Sequence, residues 1–194
     1  MSLKIGIAGP VGSGKTSLIE AATNILKEKY KIGIVTNDIY TTEDANYLKQ
    51  SLDLPDEQII GVETGGCPHT AIRDDISMNQ KAVVELEEKF NPDIIFVESG
   101  GDNLSATFSY ELIDYYMYII DTAQGADIPR KKGAGLLFSD LLVVNKTDLA
   151  PYVGVNLDSM QEDVKANRKN KPYVFISNKD EKSLEQVLEW IEAL

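Results

Sequence analysis

Eight consecutive residues near the start of the chain have the types and spacing that hold phosphate. Gly9, Pro10, Val11, Gly12, Ser13, Gly14, Lys15 and Thr16 complete the pattern Gly-x-x-x-x-Gly-Lys-Thr. Glycine is needed there because backbone N–H groups must close around phosphate oxygens, and a Cβ would block that approach. An apolar run ends just before the pattern and a helix is expected to begin near Lys15, bringing its partial positive charge to the loop. In this arrangement Lys15 reaches the β- and γ-phosphates, the Thr16 hydroxyl ligates Mg²⁺, and Ser17 belongs to the same cradle.

Far along the chain, the apolar run from Leu141 to Val144 leads into Asn145, Lys146, Thr147 and Asp148, the Asn-Lys-x-Asp pattern associated with guanine. A carboxylate at Asp148 can accept hydrogen bonds from guanine N1–H and the exocyclic amine. Adenine offers neither in that arrangement and would leave the carboxylate unpaired. Asn145 belongs to the same reading loop, and Lys146 is expected to lay its aliphatic stem along the base. Ser177 and Asn178, after the last apolar run, form a second and less specific base-contacting candidate.

Chemistry at the terminal phosphate needs further groups. Glu98 closes the run from Asp93 to Val97, where its carboxylate could hold a Mg²⁺-bound water, and Gly100 and Gly101 could meet the γ-phosphate through their N–H groups. A strand ending in a tight turn is the plainer reading of the same residues. Asn37 and Asp38 follow the second apolar run; Asp38 is the preferred residue to face Mg²⁺ or the attacking water, with Glu43 behind it. No glutamine is obviously placed to orient water, and no arginine finger stands out. Slow hydrolysis by the chain alone, and a switch-like role, are therefore expected.

The one histidine and the one cysteine sit two residues apart, in Gly65, Gly66, Cys67, Pro68 and His69. Thiolate and imidazole suit Ni²⁺, Cu and Zn²⁺ alike. One chain supplies two such ligands, so a four-ligand site needs a second copy related by a two-fold axis. On spacing alone the pair also fits a small buried cysteine beside an incidental histidine.

These motifs need elements to position them. Short apolar runs at Leu3 to Ala8, Lys31 to Thr36, Ile59 to Glu63, Ile94 to Glu98, Tyr116 to Asp121, Leu141 to Asn145 and Tyr173 to Ser177 read as strands. Several are apolar at nearly every position, as expected for parallel strands covered on both faces. Helical patterns lie between them, including 72–90, ended by Asn91 and Pro92, and 181–194, where Leu184, Val187, Leu188 and Ile191 form a stripe. The alternation predicts βα units around a mostly parallel sheet. Residues 122–138 lack clear periodicity and read as a loop, either plain surface or functional.

Bulk properties set the outer bounds. A chain of 194 residues is expected to form a single domain, residues 1–194. Its formal net charge of −12 argues against nucleic acid, whose phosphates demand excess Lys and Arg. One cysteine excludes an internal disulfide and suits a reducing compartment, so a cytoplasmic location is expected. The first residues do not read as a signal peptide, and no run approaches a membrane span in length.

Five blocks, taken together, resemble the UreG family, P-loop GTPases of the nickel-insertion metallochaperone class. They are Gly9 to Thr16, Asn37 to Thr41, Glu63 to Arg73, Glu98 to Leu104, and Asn145 to Pro151, in the family's order and spacing. The resemblance implies an α/β P-loop NTPase fold of the SIMIBI type, with helices on both faces of a mostly parallel central sheet. It implies a GTP-dependent nickel metallochaperone that hydrolyses GTP to drive nickel insertion into apo-urease. Implied partners are a second copy of the chain in a nucleotide-dependent homodimer, other urease accessory proteins and apo-urease. By the same carry-over, GTP or GDP and Mg²⁺ meet Lys15, Thr16, Asp38 and Glu98, while Cys67 and His69 bind Ni²⁺ or Zn²⁺ across the dimer. The stretch from Gly125 to Gly135 departs from the family in having Lys132 and Ala134 where glycine and proline are expected. With one histidine in the whole sequence, nickel is expected to come mainly from a partner. Three alternatives remain: a related GTPase serving hydrogenase, a P-loop small-molecule kinase, and a nickel sensor or buffer.

Overall fold

In the computed structural model, residues 2–66, 68–101 and 107–194 are described. Cys67 and the Asp102 to Leu104 part of the fourth block lie outside them. The chain runs β1 (Leu3–Ala8), α1 (Lys15–Leu26), β2 (Ile32–Asp38), α2 (Glu43–Ser51), β3 (Ile59–Glu63), α3 (Pro68–Arg73), α4 (Ser77–Phe90) and β4 (Ile94–Glu98). It continues through β5 (Tyr115–Asp121), α5 (Ile128–Lys131), α6 (Ala134–Phe138), β6 (Leu141–Asn145), α7 (Leu157–Arg168), β7 (Tyr173–Phe175) and α8 (Glu181–Glu192). The strands form one sheet in the order β3-β2-β4-β1-β5-β6-β7, and every neighbouring pair is parallel.

Alternation along the strands explains why both faces are covered. Ile5, Ile7, Phe96, Ile119 and Val143 point to one face, where Leu18 and Ile19 of α1, Leu48 of α2 and Leu184, Val187 and Ile191 of α8 pack on them. Ile95, Val97, Tyr118, Ile120 and Val144 point to the other, under Ile72 of α3, Val83 and Leu86 of α4, Leu136 of α6, and Met160 and Val164 of α7. Both sets are apolar, which is why the strand segments read as nearly unbroken hydrophobic runs. Among the described residues, no helix is long and apolar enough to cross a membrane.

Several boundaries differ from the sequence expectation, each for a local reason. The 72–90 pattern is two helices: Asp74 N–H and Asp75 N–H both bond the Thr70 carbonyl, and the Asp75 carboxylate then accepts from Ser77 and starts α4 afresh. The break at Asn91 is as expected, with that residue in the left-handed region at φ +45°. Asn37 and Asp38 do not follow β2 but end it, because their pairing with Val62 and Glu63 continues. Strand β7 stops at Phe175, since Ser177 N–H turns to the Ser183 hydroxyl at 3.0 Å instead of continuing the ladder. Helix α8 ends at Glu192 rather than at the C-terminus.

The stretch 122–138 is not a plain loop. It holds a 3₁₀ turn at Thr122–Gln124, capped by the Asp121 carboxylate on Ala123 N–H at 2.9 Å, followed by α5 and α6. Helices of four and five residues are too short for a periodic pattern to register. Arg168 anchors this region from α7. Its guanidinium is buried and donates to the carbonyls of Leu136, Ser139, Asp140 and Pro172 at 2.7–3.2 Å. Burial lowers its pKa to about 10, opposed by Asp140, so it stays charged at neutral pH.

Lys132, between α5 and α6, lies at φ +59° and ψ −167°, a region essentially reserved for glycine. Ala134 is the first residue of α6, a position that favours proline. Both positions therefore have a backbone conformation that suits the glycine and proline expected from the resemblance. Lys132→Gly should relieve more strain than it adds in unfolded-state entropy, a net gain of about 1 kcal/mol. Thermal unfolding checks this: a Tm higher by roughly 2–4 °C is expected, and a lower Tm would contradict the strained geometry.

Candidate nucleotide pocket and metal turn

Because all seven strands among the described residues are parallel, their carboxyl ends share one edge of the sheet, and the chemistry-bearing residues collect there. Gly9 follows β1, Asp38 ends β2, Glu98 ends β4, Asp121 ends β5 and Asn145 ends β6. Pairing fixes their register: Glu98 lies opposite Ile7 on one side and Thr36 on the other, and Asp121 lies opposite Asn145.

The loop from Gly9 to Gly14 leads into α1, whose first turn carries no acidic residue and no side-chain cap. Its leading N–H groups are thus available to an anion. Gly14 stands at φ +95°, and a Cβ there would collide with the Asn145 amide, so this position requires glycine. Three successive carbonyls of the loop are held from the far side. Lys146 Nζ donates to the Gly12 carbonyl, Asn145 Nδ2 to that of Ser13 at 2.9 Å, and Asn178 Nδ2 to that of Gly14 at 3.2 Å. Lys15 is buried, with its ammonium 3.4 Å from the Pro10 carbonyl.

Two cavities meet over this loop. The first, about 500 Å³, is lined by Gly14, Ser17, Asn145, Lys146, Asp148, Ser177 and Asn178, together with residues of α1. The Ser177 hydroxyl donates to Asp148 Oδ1 at 2.8 Å, and Lys179 lies 3.9 Å from Oδ2, so the aspartate is oriented by the second loop. Asn145 lines the cavity, but both its amide atoms are engaged, by Ser13 and by Lys146 N–H at 2.7 Å. It therefore joins the two loops, and its Nδ2 keeps a second N–H for the cavity that it lines. Lys146 spans both cavities and also lies 3.8 Å from Asp121.

The second cavity, about 550 Å³, is lined by Val11, Gly12, Lys15, Thr16, Asp38, Gly100 and Gly101, among others. Glu98 sits beneath it, buried, accepting from the Thr16 hydroxyl at 2.7 Å through Oε1. Its other oxygen, Oε2, is buried without a hydrogen-bond partner among the described residues. Burial raises the Glu98 pKa to about 7; Lys15 and the Thr16 hydroxyl oppose this, and Asp44 and Asp38 add to it. Asp38 accepts from Ile39 N–H at 2.6 Å and from the Thr41 hydroxyl. Behind Asp38 the structure places Asp44, not Glu43: Asp44 lines the cavity, whereas Glu43 is exposed and is not part of its wall. Among the described residues, no three His, Asp or Glu side chains are grouped closely enough to hold a metal by themselves.

The turn between β3 and α3, the candidate metal turn, adjoins this site. Thr64 N–H and Gly65 N–H donate to the Asp38 and Ile39 carbonyls at 2.9 and 3.0 Å, extending the β2–β3 ladder up to the turn. His69 is half-buried in α3. A buried amide chain also reaches α3, with Asn79 Nδ2 donating to the Ala71 carbonyl and to Asn37 Oδ1, and Asn37 Nδ2 donating to the Glu98 carbonyl.

The family model described as "CobW/HypB/UreG, nucleotide-binding domain" matches residues 3–175. A urease accessory protein UreG of Aliarcobacter butzleri is 84% identical over 194 residues, covering all of both chains. The chain belongs to the UreG family. The UreG of Lysinibacillus sphaericus is 58% identical over 191 residues, covering 98% of this chain and 91% of that one. The structure of HypB from Helicobacter pylori in complex with nickel superposes with a TM-score of 0.81, covering 99% of this chain and 86% of that one. At 22% identity it shows a shared fold, the α/β P-loop NTPase.

Sequence motifs missed the parts of the candidate site that lie inside helices. Glu20, Ala21 and Asn24 line the first, candidate base cavity, and Asp44 and Tyr47 the second, candidate phosphate cavity. A signal existed: Ser17, Glu20, Ala21 and Asn24 recur at +3, +4 and +7, so they share one face of α1. For Asn37 and Asn79, 42 residues apart, there was none.

The Glu98 shift has a sign that can be checked. Its contribution to the stability of the nucleotide-free protein is fully present below 4.5 and is lost as pH rises through about 7. Glu98→Gln keeps the shape without the charge, so its stability relative to wild type should rise by about 1 kcal/mol between pH 6 and pH 8. Denaturant unfolding at both pH values measures this; a pH-independent difference would contradict the raised pKa.

Proposed function

We propose that this protein is a GTP-dependent nickel metallochaperone, binding and slowly hydrolysing GTP to drive nickel insertion into apo-urease. The observation that carries the reading is the joined pair of cavities, one walled by Asn145, Lys146 and Asp148 and the other by Lys15, Thr16 and Asp38, in a UreG-family chain. Asp148, oriented by Ser177, accepts from guanine N1–H and the amine. Lys15, Gly100, Gly101 and the N–H groups of the loop hold the phosphates.

Mg²⁺ fits the residues present. Glu98 Oε2, beside the Thr16 hydroxyl, is a buried acceptor with no hydrogen-bond partner among the described residues, and Asp38 faces the same cavity. One or two carboxylates completed by phosphate oxygens and water is how this ion is usually held. Thr16, Asp38 and Glu98 would hold it, directly or through water, and it would supply positive charge to the β- and γ-phosphates.

Nickel is the cargo. Cys67 and His69 from two protomers supply two thiolates and two imidazoles, a set that also accepts Zn²⁺. The 194 residues act as one GTP-binding domain, in a cytoplasmic setting, with other urease accessory proteins as partners. The two urease accessory proteins described above share 84% and 58% identity with this chain, whereas the HypB neighbour shares 22%, which favours urease over hydrogenase as the destination.

Substitution of Cys67 tests the reading. Cys67→Ala should abolish stoichiometric nickel binding and activation of apo-urease while leaving GTP affinity within about twofold, since Asp148 and the phosphate loop are untouched. Unchanged nickel stoichiometry in a calorimetric titration would refute the metal assignment.

A further inference from the structure

The sugar of a bound nucleotide has to lie where the base and phosphate cavities join, and two residues given no role above meet there. The cavities share Gly14, Ser17 and Lys146. Glu20, on α1, lines the base cavity; Tyr47, on α2, lines the phosphate cavity. The Tyr47 hydroxyl donates to Glu20 Oε2 at 2.8 Å, so the pair bridges the seam. That bond, and then the charge of Glu20, raise the Tyr47 pKa, which keeps tyrosine the donor and the carboxylate the acceptor.

We propose that Glu20 accepts a hydrogen bond from a ribose hydroxyl of the bound guanine nucleotide, with Tyr47 holding the carboxylate in place. The inference rests on the guanine-nucleotide reading above. An ionised carboxylate only accepts, and it has two oxygens; Tyr47 engages one. A sugar diol is a matching donor, and the guanine N1–H and amine are taken by Asp148 in the reading above. A deoxy sugar would leave a half-buried carboxylate short of its donor, the situation in which polar sites discriminate well. Tyr47 lies on the helix that follows Asp38 to Thr42, so the same contact ties the sugar to the segment carrying Asp38.

The experiment is a calorimetric titration of wild type, Glu20→Ala and Tyr47→Phe with GDP, 2′-deoxy-GDP, 3′-deoxy-GDP and ADP. Wild type should bind GDP about tenfold tighter than at least one deoxy analogue. Glu20→Ala should bind GDP and that analogue equally well while keeping its preference for GDP over ADP, which Asp148 sets. Tyr47→Phe, which removes only the hydroxyl, should lower the ratio partway; an unaltered ratio there would overturn the holding role of Tyr47. Equal binding of GDP and both analogues by wild type, or full discrimination by Glu20→Ala, would overturn the ribose contact and leave the guanine reading standing. No binding of GDP by wild type would overturn the guanine reading and this inference with it.

Discussion

The carbonyls of Gly12, Ser13 and Gly14 all accept hydrogen bonds from the loops after β6 and β7, and the rest of the site depends on that restraint. In a trans peptide the N–H of the following residue points opposite to the carbonyl. Drawing these carbonyls toward Asn145, Lys146 and Asn178 therefore turns the N–H groups of Gly14 and Lys15 the other way, toward the phosphate cavity. The residues that border the base cavity thus also shape the phosphate cradle. Asn145 contributes most to this, since its amide donates to Ser13 while its oxygen accepts from Lys146. The glycine at position 14 permits the approach, because any Cβ would displace that amide.

A second set of bonds joins the cavity over Thr16 and Asp38 to the candidate metal turn. Glu98 meets Thr16 through its side chain and Asn37 through its carbonyl, and Asn37 passes the connection through Asn79 to α3. The backbone of Thr64 and Gly65 is bonded to Asp38 and Ile39. Any shift in Asp38 or Glu98 on nucleotide binding thus has two short paths to the residues flanking Cys67. Both amides of the buried chain are fully enclosed, where a lost hydrogen bond is costly, so the chain moves as a unit or breaks at a cost of about 1–3 kcal/mol.

Much of this was legible in sequence where chemistry forces a contiguous pattern. The phosphate loop was readable because its residues are consecutive, and the parallel sheet because strands covered on both faces, such as Leu141 to Asn145, are apolar throughout. Asp148 was readable through a motif tied to a strand end. The role of Asn145 was not, because its partner, the Ser13 carbonyl, is 132 residues away and is backbone, which leaves no mark in side-chain identity. Asp44 was missed in favour of Glu43 because the choice depends on how the first turn of α2 is rotated, one residue being about 100° of arc. The short helices of 122–138 fall below the length at which a period can be seen, and the conformation of Lys132 depends on its neighbours.

The proposal that GTP assembles two chains around one metal is tested most directly by the protein's mass in solution with Ni²⁺ present, under GDP and then under a non-hydrolysable GTP analogue with Mg²⁺. The account predicts a monomer with GDP and a dimer with the analogue, carrying one nickel per two chains. A monomer under both conditions would contradict the shared metal site and the delivery mechanism built on it, while leaving the nucleotide pocket as described.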